Sequence, residues 1–140
     1  MQAARGFGWV FCDWRCRARQ GAPEAKDVDE YVFAALGGDA ETTSEGGYRE
    51  VTAAEARHIV GYCMKHSMAY GPALSAVGLV ANAVEPFFQL FAAARYFTNS
   101  GFADTNASWQ FIPKTQHTFD SGIVAVDAVN IGLVWFADED

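Results

Sequence analysis

The residues best equipped for chemistry fall at helical spacings in the middle of the 140-residue chain. His58, Tyr62 and His66 recur at steps of four, which puts them on one side of a helix where protons could be relayed. Glu55-x-x-His58 spells half of the di-metal carboxylate motif, but the second Glu-x-x-His and two further glutamates are missing. Cys63-x-x-His66 offers two metal ligands one turn apart. Completing the set would need His117, Asp120 or the N-terminal cysteines, and no spacing recommends them. The sequence therefore predicts no metal and no cofactor. His117 and Asp120 stand close enough to assist a nucleophile, yet no Gly-x-Ser-x-Gly elbow or activated cysteine accompanies them. A turn hydrogen bond from Asp120 before Gly122 is the plainer role. Neither a Gly-x-Gly-x-x-Gly loop nor a Walker loop occurs, so a nucleotide site has no support.

The stretch Asn82-Ala-Val-Glu-Pro-Phe-Phe-Gln-Leu-Phe91 sets a carboxylate and a proline within the most apolar run of the chain. Ser75, Gly78, Asn82, Glu85 and Gln89 follow one another at steps of three and four, one narrow polar stripe on a helix that is otherwise apolar. That stripe is either the solvent face of a buried helix or a seam. As a seam, Ser75, Gly78, Asn82 and Gln89 are the interface residues, with Gly78 allowing close backbone approach. As the wall of an apolar pocket, Glu85 and Asn82 join Tyr62 and His58 as the polar groups that would bind a ligand. Desolvation of Glu85 would raise its pKa and suit it to acid–base work. Its simpler role is to cap a helix that begins at Pro86.

The elements that would carry these groups follow from periodicity. Residues 12–19 alternate strictly, Cys12, Trp14, Cys16 and Ala18 on one face and Asp13, Arg15, Arg17 and Arg19 on the other, which predicts a half-buried strand. On a strand Cys12 and Cys16 lie about 13 Å apart at about 3.3 Å per residue, too far to bridge or share one zinc. The arginine row is expected to pair across the sheet with Asp138, Glu139 and Asp140. Residues 27–36 read as a short amphipathic helix stopped by Gly37-Gly38, and residues 37–50 as a mobile loop. Thr52 and Glu55 form a capping box for a helix running to about residue 70, with Ala56, Ile59, Val60, Cys63 and Ser67 as its buried stripe. A third helix covers residues 73–98, either kinked at Pro86 or restarted there. Residues 109–113, 122–127 and 131–136 are strands, the last two joined by a turn at 127–130. The whole reads as one α+β domain over residues 1–140, helices packed on one face of a mostly antiparallel sheet of about four strands.

Composition narrows the function. Apolar residues make up 51% and charged residues 19%, enough to build a core and against a disordered chain. A net charge of −7 disfavours nucleic acid as a partner and suits a basic protein. The polar residues inside 73–98 argue against a membrane span. Three cysteines, with no secretory leader apparent, point to reduced thiols in the cytoplasm. These features favour a non-enzymatic interaction protein, a homodimer associating through an apolar helix or sheet surface, with a basic protein or small apolar ligand as a further partner. The alternative is a small enzyme or small-molecule-binding domain whose pocket lies between helices and sheet.

Overall fold

Two apolar runs near the end of the chain organise the molecule. The computed structural model describes residues 2–4, 8–17, 21–36, 48–65, 78–99 and 119–138. In chain order these form β1 (Gln2–Ala4), β2 (Gly8–Cys16), α1 (Ala25–Ala35), β3 (Arg49–Val51), α2 (Ala53–Lys65), α3 (Gly78–Leu90), β4 (Arg95–Thr98), β5 (Phe119–Val126) and β6 (Asn130–Asp138). The strands make one antiparallel sheet in the order β1-β2-β6-β5-β4-β3. The α+β class with helices on an antiparallel sheet is what the periodicity predicts. Among the described residues there are six strands rather than about four: β1 and β3 are only three residues long, too short to show alternation, and β4 lies in a stretch expected to be helix.

Strands β5 and β6 are central and are buried on both faces from Asp120 to Val126 and from Ile131 to Ala137. Side chains alternate between two cores. Ile123, Ala125, Val134 and Phe136 meet α2 and α3, while Val124, Leu133 and Trp135 meet Val28, Tyr31 and Val32 of α1. So α1 covers the face opposite α2 and α3, rather than all helices sharing one side. That double cover explains why β5 and β6 read as continuous apolar runs. Fully burying side chains such as Phe88, Phe91 and Leu133 contributes roughly 1.5–3 kcal/mol each.

Local signals set the element ends. The Asp27 carboxylate accepts a hydrogen bond from the Glu24 N–H at 2.9 Å and opens α1. Thr52 Oγ1 accepts from the Glu55 N–H at 3.1 Å and opens α2, whose Ala56, Ile59, Val60 and Cys63 are all buried as expected. Ser67 and the rest of that predicted helix, residues 66–70, lie outside the described residues. Helix α3 runs through Pro86 as one helix; the proline neither breaks it nor starts another. Its ring is solvent-facing, so only one ladder bond is lost, while Phe87, Phe88 and Phe91 anchor the buried side.

The predicted helix over 73–98 ends early. After Leu90 a turn closes with the Ala94 N–H on the Phe91 carbonyl at 3.0 Å, and the Tyr96 hydroxyl donates to the same oxygen at 2.7 Å. Arg95–Thr98 is then strand β4, because a Tyr-Phe-Thr run pairs with β5 more favourably than it extends a helix. Residues 37–47 and 109–113 lie outside the described residues. Among the described residues no helix is long and apolar enough to cross a membrane.

The N-terminal segment is an integral strand: β2 pairs with β6 along all nine residues. The register corrects one expectation. Gly8 lies opposite Asp138 and Arg15 opposite Ile131, so Arg15 and Arg17 sit at the far end of the sheet from Asp138, while Arg19, Glu139 and Asp140 lie outside the described residues. Antiparallel pairing directs Arg15 and Arg17 to the β5–β6 turn instead, where Arg17 donates to the Asp127 carbonyl at 3.0 Å.

At Gly132 the phenylalanines of α3 and the turn after it pack directly against the backbone of β6. A Cβ there would stand 2.7 Å from Phe91 Cε2 and 2.9 Å from Phe87 Cε2. Both rings are locked in the core, so Gly132→Ala is expected to destabilise the fold by about 1–3 kcal/mol through overpacking. Urea unfolding monitored by circular dichroism would show a lowered midpoint; an unchanged midpoint would mean that the rings can move aside.

Candidate functional site

Three places hold polar chemistry. The first lies between β2 and α1. Asp13 and Arg15 project from β2 toward the α1 face, as their pairing with Leu133 and Ile131 requires. Arg15 Nη2 donates to Asp13 Oδ2 at 2.8 Å, and the Tyr31 hydroxyl donates to the same oxygen at 2.9 Å. The guanidinium also lies over the Tyr31 ring, 5.0 Å from its centroid. Burial, and then the bond to Asp13, push the Tyr31 phenol up, so it stays a neutral donor. Next to this trio opens a cleft of about 200 Å³ lined by Arg15, Cys16, Arg17, Asp27, Glu30, Tyr31 and Ile131. Arg17 is spent on structure, donating to Gly21 O at 2.7 Å as well as to Asp127. The cleft mixes both charge signs and is smaller than the usual ligand pocket of about 300–1,000 Å³.

The second place is a buried polar cluster at the end of the α1 face. Asn99 Nδ2 donates to Asp120 O at 3.1 Å and Asp120 Oδ1 at 3.2 Å, and the Gly122 N–H donates to Asn99 Oδ1 at 3.3 Å. Asp120 is fully buried within β5; it does not act in a turn before Gly122, because the strand begins at Phe119. The Tyr48 phenol is pushed up by burial and by Asp29, with Asp120 adding to the effect. Trp135 Nε1 is buried and finds no hydrogen-bond acceptor among the described residues. These groups lock β4 to β5. Asn99 supplies the amide that satisfies a carboxylate no solvent can reach.

The third place holds the residues singled out in the sequence. Glu85 is exposed and bonded by Arg57, at 2.6 Å to Oε2 and 3.3 Å to Oε1. This guanidinium holds the Glu85 carboxyl below the ordinary glutamate range, the reverse of the raised pKa expected from desolvation. Nor does Glu85 cap a helix, since α3 passes through it. His58 is exposed and Tyr62 half-buried on α2, four residues apart and off the buried stripe. Gln89 is exposed, and Gly78 is the first residue of α3. The side chain of Asn82, and Ser75, His66 and His117 altogether, lie outside the described residues. Among the described residues no three His, Cys, Asp or Glu side chains are grouped to hold a metal.

Sequence reasoning overlooked Tyr31 and the Asp13–Arg15 pair. The signal was the alternation of Asp13, Arg15 and Arg17, which marks one face of a strand. What that face meets depends on where α1 docks. Comparison with protein-family models, with curated proteins and with solved structures finds no match.

Two outcomes follow from these geometries. The Glu85 carboxyl should titrate below an ordinary glutamate, and Arg57→Gln should return it upward, as read by side-chain NMR. Because the folded pKa is depressed, the stabilisation is present above the unfolded value and is lost as pH falls through the folded one. Asn99→Ala removes the buried side-chain bonds to Asp120 and the Gly122 N–H and should lower stability by about 1–3 kcal/mol in chemical denaturation.

Proposed function

We propose that this chain is a non-enzymatic interaction protein that associates with itself through the sheet. One observation carries the reading. On the outer side of β2 the three residues of β1 pair only with Trp9, Val10 and Phe11. From Asp13 to Cys16 no described strand lies beside it. On this stretch Trp14 is 57% exposed, although no side chain of the strand is larger. An exposed aromatic on an unpaired strand edge favours association, because a second strand removes apolar surface and satisfies backbone groups together.

The polar candidates fit an interaction protein better than a catalyst. Glu85 is neutralised by Arg57 at the surface, and Arg17 is bound to backbone carbonyls. The acidic surface favours a basic protein as any second partner. Cys12, Cys16 and Cys63 form no disulfide, which suits a reducing compartment such as the cytoplasm.

Light scattering coupled to size exclusion, over a dilution series without detergent, tests the proposal. The expected mass is that of a dimer, falling toward a monomer on dilution. A monomer at every concentration would refute it.

A further inference from the structure

We infer that the cleft between β2 and α1 binds a small free amino acid, its carboxylate on Arg15 and Arg17 and its ammonium on Glu30. Every group involved belongs to one chain, so the inference does not rest on self-association and can fail without it.

Three observations converge. The first is that the two walls carry opposite charge and do not close on each other. β2 and the residue after it supply Arg15 and Arg17, and the first turns of α1 supply Asp27 and Glu30. Asp27 is occupied at the start of α1, where it accepts the Glu24 N–H at 2.9 Å. That leaves Glu30 as the acid for a ligand. Among the described residues its carboxylate meets only Lys26 of its own helix, at 3.7 Å, and neither guanidinium forms an ion pair with it. Long side chains of opposite sign thus line one cleft of about 200 Å³ without pairing across it. A molecule that carries both charges would complete the pairing from within.

The second is that the arginines are already held and still have donors to spare. Arg15 gives Nε and Nη2 to Asp13 and lies over the Tyr31 ring, which leaves Nη1. Arg17 gives only Nη1 to the Gly21 and Asp127 carbonyls, which leaves Nε and Nη2. Two residues apart on one face of the chain, their Cα atoms stand about 7 Å from each other. Two neighbouring guanidiniums with free N–H groups suit a carboxylate, which accepts through both oxygens. Because both are fixed beforehand, less side-chain freedom is lost on binding.

The third is selection by charge and size. A simple anion drawn to the arginines would also face Glu30 and Asp27. A simple cation drawn to Glu30 would face Arg15 and Arg17. Each meets repulsion with its attraction, and only a zwitterion satisfies both walls. The cleft is too small for a nucleotide and fits a molecule of amino-acid size. Tyr31 and Ile131 offer apolar surface to its carbon atoms.

Titration followed by ¹H–¹⁵N NMR tests this, with L-alanine as the probe and acetate and methylammonium as its two halves. L-alanine should move the amide signals of Cys16, Glu30 and Tyr31 along saturating curves in the millimolar range. Acetate and methylammonium should each bind about fivefold more weakly or worse, since each keeps one attraction and meets one repulsion. Glu30→Gln removes the partner of the ammonium at an exposed position and should weaken L-alanine about fivefold without weakening acetate. Far-UV circular dichroism establishes that this variant is folded, and the comparison of the three probes on the wild type needs no substitution. Signals that stay in place or drift without saturating under L-alanine would overturn the inference. So would acetate or methylammonium binding as tightly as L-alanine, or a Glu30→Gln variant that binds L-alanine like the wild type.

Discussion

Asp127 turns the chain between β5 and β6, one carboxylate oxygen accepting the N–H groups of Val129 and Asn130 at 2.8 and 2.7 Å. The Asp127 N–H returns a bond to the Asn130 carbonyl at 3.0 Å. This closure sets the register of a hairpin whose side chains leave no solvent on either face. The rest of the sheet and the helices build out from it. β2 and β4 extend the ladder outward, α1 settles on one side, and α2 and α3 settle on the other. A one-residue slip at Asp127 would exchange the two cores.

The two faces are filled differently. The α2–α3 side is aromatic, with Phe87 edge-on to Phe88 at 5.8 Å and Phe88 beside Tyr96 at 5.7 Å. The α1 side has fewer fully enclosed rings, Tyr31 and Trp135, and ends in the buried Asn99–Asp120 cluster. Charged pairs fasten the rim: Arg95 grips both oxygens of Glu50 at 2.9 and 2.8 Å and ties β3 to β4. Arg57 links α2 to α3 through Glu85 while lying 4.4 Å from the centroid of the Phe88 ring.

What could be read from the residues was whatever depends on short-range pattern. The alternation of residues 12–16, the Thr52 cap, the buried stripe of α2 and the Asp127 turn all express periods or bonds confined to a few residues. Features decided by distant partners were not visible. Residues 95–98 continue an apolar helical run in sequence and become strand only because β5 offers them a ladder. Glu85 looked desolvated among phenylalanines, but the helix turns it outward to an arginine on another helix. The Arg15–Arg17 row was expected to meet the C-terminal acids, yet antiparallel order puts them at opposite ends. Of the candidate site, Asp13 and Arg15 were recognised as a surface row, while Tyr31, which joins them, came from an element whose docking face the sequence does not specify.

The pairing of β2 with β6 also carries a cost in time. A growing chain emerges from the ribosome N-terminus first, so β2 is made long before Asn130–Asp138, the only described strand that covers its inner edge. Until β6 arrives, the inner edge of β2 and the Trp14 ring stand open. Its closing contact is among the most distant in the chain, and such contacts form late because the loop entropy must be overcome first. Asp13 and Arg15, the two charged residues of β2, are the gatekeepers of that exposed strand in the meantime.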